Sequence, residues 1–387
     1  MPADALTARG PYNSLTDVAG VRVGHVTLMA GDGPLVPGRG PVRTGVTAII
    51  PGDDVLRGKF VAGVHVINGF GKATGIPQVE EMGRLETPIL LTSTLCTWRV
   101  ADGVVDYLLQ RHPEIGRTAP TCNVVVGECS DARLNDMRGR HVRAEHAVQA
   151  IETATDEPEP EGTVGAGTGM VCYGFKGGIG SASRRGRSEA LRRDVTVAGL
   201  VLANFGRRPS LRIHGCPVGA LIGEPPTPGA AGPAERDRPD PSAGSADPGR
   251  GGSVIVILAT DAPLTSRQLT RVARRAAAGL ARTGSVYHHH SGDFVLAFST
   301  ARAYPPYLAD EGDLINPFFE AAADVTEEAV IRALLCARPM TGRDGYHVEA
   351  LSAARLRAVW RDWHAGGDGG GPEALDLRAL AGPGLPE

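Results

Sequence analysis

The sequence predicts an α+β fold in which helices pack on sheets. Hydrophobic residues make up 42% of the 387 residues and charged residues 21%, so the chain can bury a core. Short apolar segments typical of strands are mixed with glycine turns in the first half of the chain. Helical spacing of apolar residues also occurs, but without the regular strand–helix alternation of a doubly wound fold. Length alone allows one large domain or two ordinary ones.

The region before residue 224 contains candidate strands, candidate helices and a glycine-rich segment. The strands are apolar and rich in β-branched residues, and we place them at 47–50, 61–67, 89–92, 124–126 and 195–202. Helical periodicity predicts helices at 100–111 and 144–153. The glycine-rich segment 162–183 matches neither GxGxxG nor a Walker A motif. We therefore expect close packing of the backbone around a pocket or an interface there, and not a phosphate site.

Two further strands and two helices are predicted near the C-terminal end. SVIVILATD, beginning at Ser253, is a continuous apolar run typical of a buried strand. In SGDFVLAFST, alternation places Ser291 and Asp293 on one face of a strand. Capping-box spacing at 265 and 268 predicts a helix of about 18 residues. The pair Asn316-Pro317 predicts a second helix, with Asn316 as N-cap, that ends near residue 336.

Composition excludes several functional classes. The formal net charge is −3 and no basic face is concentrated enough to indicate nucleic-acid binding. The six cysteines include no CxxC pair, so we expect reduced thiols and no zinc ribbon. No secretory signal is visible at the N-terminus, and no apolar run approaches the roughly 18 residues of a membrane span. We therefore expect a cytoplasmic protein without a membrane partner.

The segment 224–252 differs in character from the rest of the chain. It contains seven prolines, no aromatic residue and no aliphatic side chain larger than alanine. Because it cannot bury apolar surface, it is predicted to be a flexible surface segment. The core strand at Ser253 follows it directly. An ordinary linker between domains more often enters the next domain through turns.

This junction, Gly251-Gly252-Ser253, is the sharpest chemical feature of the sequence. Glycine at 252 permits backbone conformations closed to other residues, so the Ser253 hydroxyl could face the Gly252 carbonyl. An N→O acyl shift followed by hydrolysis would free Ser253 as a new N-terminus. Its α-amine, with an ordinary pKa of about 7.7–8.0, could then serve as the base for its own hydroxyl. The simpler interpretation, the end of a Gly-Gly-Ser linker, stays open on these residues alone.

Two polar clusters raise the question of a metal site. Glu128, Asp131, Asn135 and Asp136 lie close together after an apolar strand, and three histidines occupy 288–290. The first cluster has no histidine at helical spacing, and the second is more typical of a solvated strand end. We predict no metal site from either.

Ten stretches of the sequence form an ordered set that covers nearly the whole chain to about residue 352. They are SLTDVAGVRVGH, VHVINGFGKATG, VGEC with the following LND, GTVGAGTGM, KGGIGSASR, LANFG, GGSVIVILATDAPL, SGDFVLAFST, NPFFEAAADVTEEAVIRALLCA and TGRDG. Each motif is modest alone, whereas the ordered set is specific. In sequence and order, the set resembles the DmpA/P1 family of aminopeptidases, the D-aminopeptidase and β-peptidyl aminopeptidase group (peptidase family S58).

The resemblance implies a four-layer αββα sandwich, similar to N-terminal-nucleophile hydrolases but with different strand connectivity. It implies one domain over 1–387 that is cut into an α subunit, 1–252, and a β subunit, 253–387. It also implies a homo-oligomer of processed αβ heterodimers, typically a tetramer. No metal or organic cofactor is implied.

The resemblance also assigns roles to individual residues. Ser253 matches the nucleophile, Gly252–Ser253 the autocleavage bond, and Asn204 the side chain that donates to the oxyanion. Ser291 and Asp293 match the serine and carboxylate that flank the nucleophile's amine and hydroxyl. Glu128 matches the family carboxylate that lies near the substrate's free amine. Ser130 occupies a position where the family carries an aromatic residue, a departure that bears on substrate preference.

The predicted function is therefore a self-processing serine aminopeptidase or amidase, which releases N-terminal amino acids from peptides, amides or esters. Two alternatives stay open. One is an autocleaving acyltransferase of the ornithine acetyltransferase type, although that type normally uses threonine and this chain has Ser253. The other is a non-catalytic homologue that is never processed.

Overall fold

The computed structural model describes residues 5–223, 252–301, 307–310, 312–365 and 377. Most of the predicted flexible segment, 224–251, therefore lies outside the described residues. Within the described part, fourteen strands are present. They are β1 (Arg22–Ala30), β2 (Val42–Ile50), β3 (Phe60–Gly69), β4 (Arg84–Leu85), β5 (Ile89–Ser93), β6 (Val125–Cys129), β7 (Val171–Cys172), β8 (Phe175–Lys176), β9 (Gly178–Ser188), β10 (Arg193–Asn204), β11 (Ser253–Thr260), β12 (Gly292–Ser299), β13 (Met340–Thr341) and β14 (His347–Val348).

Eight α-helices accompany these strands in the described residues. None of these helices combines the length and the apolar character that a membrane crossing requires. They are α1 (Val55–Gly58), α2 (Ile76–Met82), α3 (Thr97–Arg111), α4 (Ala144–Glu152), α5 (Val218–Ile222), α6 (Ser266–Arg282), α7 (Asn316–Leu335) and α8 (Ala353–Ala365).

Two sheets form the centre of a layered α+β sandwich. The first has the strand order β1-β2-β5-β6 and the second the order β4-β3-β12-β11-β10-β9. Helices α3 and α4 pack on the four-stranded sheet, and α6 and α7 pack on the six-stranded sheet. The layer order is thus helix, sheet, sheet, helix, which confirms the predicted fold class.

Two hydrophobic cores hold the layers together. One fills the space between the sheets, where Ile255 and Ile257 of β11 meet residues of β5 and β6. The other lies between the six-stranded sheet and its helices, and takes Val254 and Val256 from the same strand. Both faces of β11 are therefore buried, which explains why its sequence is a continuous apolar run.

Most predicted elements are present. The five candidate strands are longer than the sequence indicated, whereas the helix predicted at 144–153 ends one residue earlier, at Glu152. All five candidate strands and both helices predicted before residue 224 are confirmed, as is the capping box at Thr265 and Gln268 before α6. The predicted N-cap at Asn316 was wrong, because the helix already includes that residue and its N-cap is Ile315. Strand β9 was missed as a strand, since its first residues, GIGSAS, are too small to give an apolar pattern.

Close packing explains the glycines of β9. A Cβ atom on Gly180 would lie 2.5 Å from the backbone nitrogen of Ala333 and would also strike the carbonyl oxygen of Ala329, both on α7. The expected close backbone packing in this segment is thus confirmed. Helix α7 can approach the sheet at this point only because residue 180 lacks a side chain.

Replacing Gly180 by alanine should therefore destabilise the protein. Overpacking of this kind typically lowers the free energy of unfolding by about 1–3 kcal/mol, measurable as a lower urea midpoint. Gly58→Ala is the matched control, because a Cβ there meets only ordinary contacts of 3.5 Å or more. Equal midpoints for the two variants would contradict the packing explanation.

Candidate functional site

The predicted site residues meet where three central strands of the six-stranded sheet lie side by side. Asn204 ends β10 and pairs across the antiparallel ladder with Ser253, the first residue of β11. Ser253 in turn pairs with Gly292, the first residue of β12, across a parallel ladder. Residues that are distant in sequence are thereby fixed as neighbours by backbone hydrogen bonding.

The peptide bond before Ser253 is held in place on both sides. The carbonyl oxygen of Gly252 accepts a hydrogen bond of 3.2 Å from the backbone nitrogen of Gly292. A Cβ atom on Gly252 would lie 2.8 Å from the Cα of Phe205, so a larger residue would require a shift of the backbone. Glycine at 252 is thus required by a close backbone approach at this position.

The amide of Asn204 has a fixed orientation. Its Oδ1 accepts a 2.9 Å hydrogen bond from the backbone nitrogen of Val171, and its Nδ2 donates a 3.0 Å bond to the carbonyl oxygen of Ser130. An amide nitrogen carries two hydrogens, so one further N–H is available for donation. Sequence reasoning did not identify Val171 as a partner of Asn204.

The structure also shows how residue 130 takes part. Ser130 contacts Asn204 through its backbone carbonyl, whereas its hydroxyl approaches the sulfur of Met137 at 3.7 Å. The support that this residue gives to Asn204 therefore does not depend on the side chain at 130. The departure from the family pattern leaves this contact intact.

Ser291 and Asp293 form a buried pair beside the start of β11. The Ser291 hydroxyl donates a 2.6 Å hydrogen bond to Oδ1 of Asp293. The second oxygen, Oδ2, is buried and has no hydrogen-bond partner among the described residues. Burial raises the pKa of Asp293 to about 6, although hydrogen bonds from Ser291 and from the Val254 backbone partly oppose the increase. One carboxylate oxygen is thus placed to accept a hydrogen bond from a further donor.

Glu128 lies in β6, on the four-stranded sheet, and only 2% of its side chain is exposed. Its Oε1 accepts a 2.8 Å hydrogen bond from the backbone nitrogen of Lys72, and its Oε2 accepts one from the Thr94 hydroxyl. The Lys72 ammonium lies 4.0 Å from Oε1. Neither Lys72 nor Thr94 was identified from the sequence, because no short motif connects these residues with Glu128.

A contact between two glycines brings Glu128 close to Ser253. A Cβ atom on Gly292 would lie 2.5 Å from the Cα of Gly71 and 3.4 Å from the Ser253 hydroxyl oxygen. A Cβ on Gly71 would lie 3.3 Å from Oε1 of Glu128. The serine hydroxyl and the carboxylate therefore lie around the same pair of glycines, at the end of the sandwich where both sheets contribute.

Two of the carboxylates considered as metal ligands, Asp131 and Asp136, accept hydrogen bonds within the fold. Asp131 accepts a 2.8 Å bond from Ser93, and Asp136 accepts bonds from the backbone nitrogens of Gly38 and Gly139. The carbonyl groups of His288 and His289 accept hydrogen bonds from Asn68. Within the described ranges, no group of three His, Cys, Asp or Glu side chains is arranged to hold a metal ion.

A cavity of about 1070 Å³ lies apart from this group of residues. Its walls include Arg43, Glu161 and Arg332, and none of the predicted site residues lines it. Glu161 and Arg332 form an ion pair with each other. The candidate site is therefore separate from this cavity.

Comparison with known proteins gives consistent matches over most of the chain. The model of peptidase family S58 matches residues 13–348. A β-peptidyl aminopeptidase BapA of Sphingosinicella microcystinivorans is 40% identical, over 92% of this chain and 89% of its own length.

Solved structures agree with these sequence matches. The PH0078 protein of Pyrococcus horikoshii OT3 has a TM-score of 0.82 at 46% identity, with coverage of 93% of this chain and 97% of its own. The L-aminopeptidase D-Ala-esterase/amidase of Ochrobactrum anthropi, described as a variant of the Ntn hydrolase fold, has a TM-score of 0.76 at 35% identity, with coverage of 92% and 96%. These relatives favour the aminopeptidase over the acyltransferase alternative.

The raised pKa of Asp293 predicts a pH dependence of stability. In the folded chain the carboxyl keeps its proton up to about pH 6, whereas the ordinary pKa is 3.8. Between these values the unfolded chain has already released its proton, so stability falls as the pH rises through this window. Asp293→Asn has no charge to bury, and above pH 6 it should be more stable by up to about 3 kcal/mol.

The test compares urea unfolding of Ser253→Ala with that of Ser253→Ala/Asp293→Asn from pH 4 to 8. The shared substitution keeps the same chain around Asp293 in both proteins. The two stability curves should converge near pH 4 and separate as the pH rises. Parallel curves across the whole range would show that Asp293 does not titrate in this way.

Proposed function

The chain belongs to peptidase family S58 and is an aminopeptidase, and from this premise we propose that it is a self-processing enzyme whose nucleophile is Ser253. The observation that supports the proposal is the register of β10, β11 and β12, which aligns Asn204, Ser253 and Gly292. Such an alignment joins a nucleophile, an amide donor and a polarised peptide carbonyl in one place.

In the proposed processing step, the Ser253 hydroxyl attacks the carbonyl carbon of Gly252. The amide C–N bond breaks as the ester C–O bond forms, and water then hydrolyses the ester. The products are a carboxylate at Gly252 and a free amine on Ser253, with chains 1–252 and 253–387. The 3.2 Å hydrogen bond from Gly292 to the Gly252 carbonyl oxygen supports this step, because it polarises the bond that is attacked.

In the proposed turnover, the freed α-amine takes the proton of the Ser253 hydroxyl as that oxygen attacks the substrate carbonyl. The second N–H of the Asn204 amide donates to the oxyanion of the tetrahedral intermediate. The unpartnered Oδ2 of Asp293 accepts a hydrogen bond from the α-amine, and Ser291 holds the other oxygen of that carboxylate. Collapse of the intermediate releases the leaving amine, and water then hydrolyses the acyl-enzyme.

Glu128 is proposed to bind the free amino group of the substrate. Its carboxylate is buried and lies close to Ser253 across the Gly71–Gly292 contact, so an ammonium group bound there would be near the nucleophile. Ser130 is proposed to contribute to the substrate site next to Asn204.

The proposed substrates are small peptides and aminoacyl amides or esters, with β-aminoacyl substrates included because one relative is a β-peptidyl aminopeptidase. A tetramer of processed heterodimers and a cytoplasmic location stay predictions.

Ser253→Ala should abolish both processing and turnover, because one hydroxyl group performs both reactions. Intact mass spectrometry should show a single chain near 40.3 kDa, and aminoacyl p-nitroanilide hydrolysis should fall by at least about 10⁴-fold. Ser253→Thr keeps a hydroxyl group and is the matched control, which should still be cut. Cleavage between residues 252 and 253 in the alanine variant would exclude the acyl shift.

Asn204→Ala should lower kcat by roughly 10²–10³ and change KM little, because the oxyanion forms only along the reaction path. The rate is expressed per processed N-terminus, which separates turnover from any slower processing. Asn123→Ala is a suitable control, since that amide binds Glu86 elsewhere in the fold. An unchanged kcat in Asn204→Ala would remove Asn204 from the oxyanion role.

A further inference from the structure

A lysine stands beside the carboxylate that is proposed to bind the substrate's amine. The Lys72 ammonium lies 4.0 Å from Oε1 of Glu128, and 39% of the lysine side chain is exposed against 2% for the glutamate. The buried anion therefore has a cation on its solvent side. The ring of Phe70, whose centroid is 5.5 Å from the ammonium, flanks this cation.

The position of Lys72 is fixed by its backbone. Its backbone nitrogen donates to the same Oε1 atom, so residue 72 is held next to Glu128 whatever its side chain does. At 4.0 Å the ammonium is too far for a hydrogen bond and can move towards another anion. The flexible four-carbon stem of lysine allows such a movement without a change in the fold.

This arrangement has a consequence for substrate binding. A substrate whose N-terminal residue has an uncharged side chain brings its α- or β-ammonium to Glu128. Two cations, this ammonium and that of Lys72, then lie beside one carboxylate. Repulsion between the two cations then weakens binding. A substrate whose first residue also carries a carboxylate avoids this repulsion, because its anion pairs with Lys72 while its ammonium pairs with Glu128.

We propose that Lys72 and Glu128 together select substrates whose N-terminal residue carries a carboxylate close to its amine, with β-linked aspartyl residues as the best fit. The inference rests on the proposed function, in which Glu128 binds the substrate's amine. In a β-linked aspartyl residue, the carboxylate and the ammonium are attached to the same carbon. The two groups are therefore as close together as the Glu128 and Lys72 charges that face them.

The test uses two p-nitroanilides that differ only in charge. One is β-aspartyl p-nitroanilide, and the other is the analogue in which its free carboxylate is replaced by a carboxamide of the same shape. The wild-type enzyme should hydrolyse the carboxylate substrate with a kcat/KM about tenfold higher. The advantage should appear mainly in KM, because the contact is made on binding.

Variants of Lys72 then identify the source of the preference. Lys72→Met should reduce the tenfold ratio to about one, and should raise kcat/KM for the neutral analogue because the second cation is gone. Lys72→Arg keeps the charge and should keep the preference. The matched control is Lys59→Met, which removes an exposed lysine paired with Glu86 at 3.7 Å and should leave the ratio unchanged.

The outcomes separate this inference from the proposed function. If wild-type enzyme hydrolyses neutral aminoacyl p-nitroanilides but shows no preference for the carboxylate substrate, or if the preference survives in Lys72→Met, the inference is overturned and the aminopeptidase stands. If Lys72→Met only lowers the melting temperature and the ratio is unchanged, Lys72 is a structural counter-ion. If no aminoacyl p-nitroanilide is hydrolysed in a Ser253-dependent way, the proposed function itself fails.

Discussion

The register of the three central strands is the constraint on which the rest of the site depends. Asn204, Ser253 and Gly292 occur on segments that are far apart in sequence, and only the β10–β11 and β11–β12 ladders make them neighbours. A slip of one residue would turn Ser253 to the opposite face of the sheet. The apolar side chains of β11 prevent such a slip, because they alternate between two separate cores.

Glycines allow the backbones to approach closely enough for this register to be chemically useful. Gly252 lies against Phe205, Gly71 lies against Gly292, and Gly180 lies against helix α7. At each contact a Cβ atom would meet backbone atoms at distances that real Cβ atoms essentially never show. The glycine content of the chain, 52 of 387 residues, thus reflects in part the close packing around the site and the sheet that carries it.

The sequence predicts those parts of the structure that leave a local pattern. Ser253 could be recognised because a Pro/Gly-rich segment without large side chains is followed directly by a β-branched run. The alternation of SGDFVLAFST correctly placed Phe294 and Val295 on opposite faces of the strand, where they join different hydrophobic cores. Strand β9 left no such pattern, because its first residues are glycine, serine and alanine. The contact of Lys72 with Glu128 joins residues 56 positions apart, and its basis is the packing of the two sheets, which no short motif encodes.

The two buried carboxylates of the site are stabilised in different ways, and this difference connects processing with catalysis. Glu128 already has donors in Thr94 and in the Lys72 backbone, whereas Asp293 has a buried oxygen without a partner in the described part of the chain. An unpaired buried carboxylate is costly, which agrees with the raised pKa of Asp293. On the proposed mechanism, cleavage after Gly252 turns a peptide nitrogen into a free amine that donates a hydrogen bond to this oxygen. The reaction that creates the catalytic amine therefore also supplies the partner that Asp293 lacks in the uncut chain.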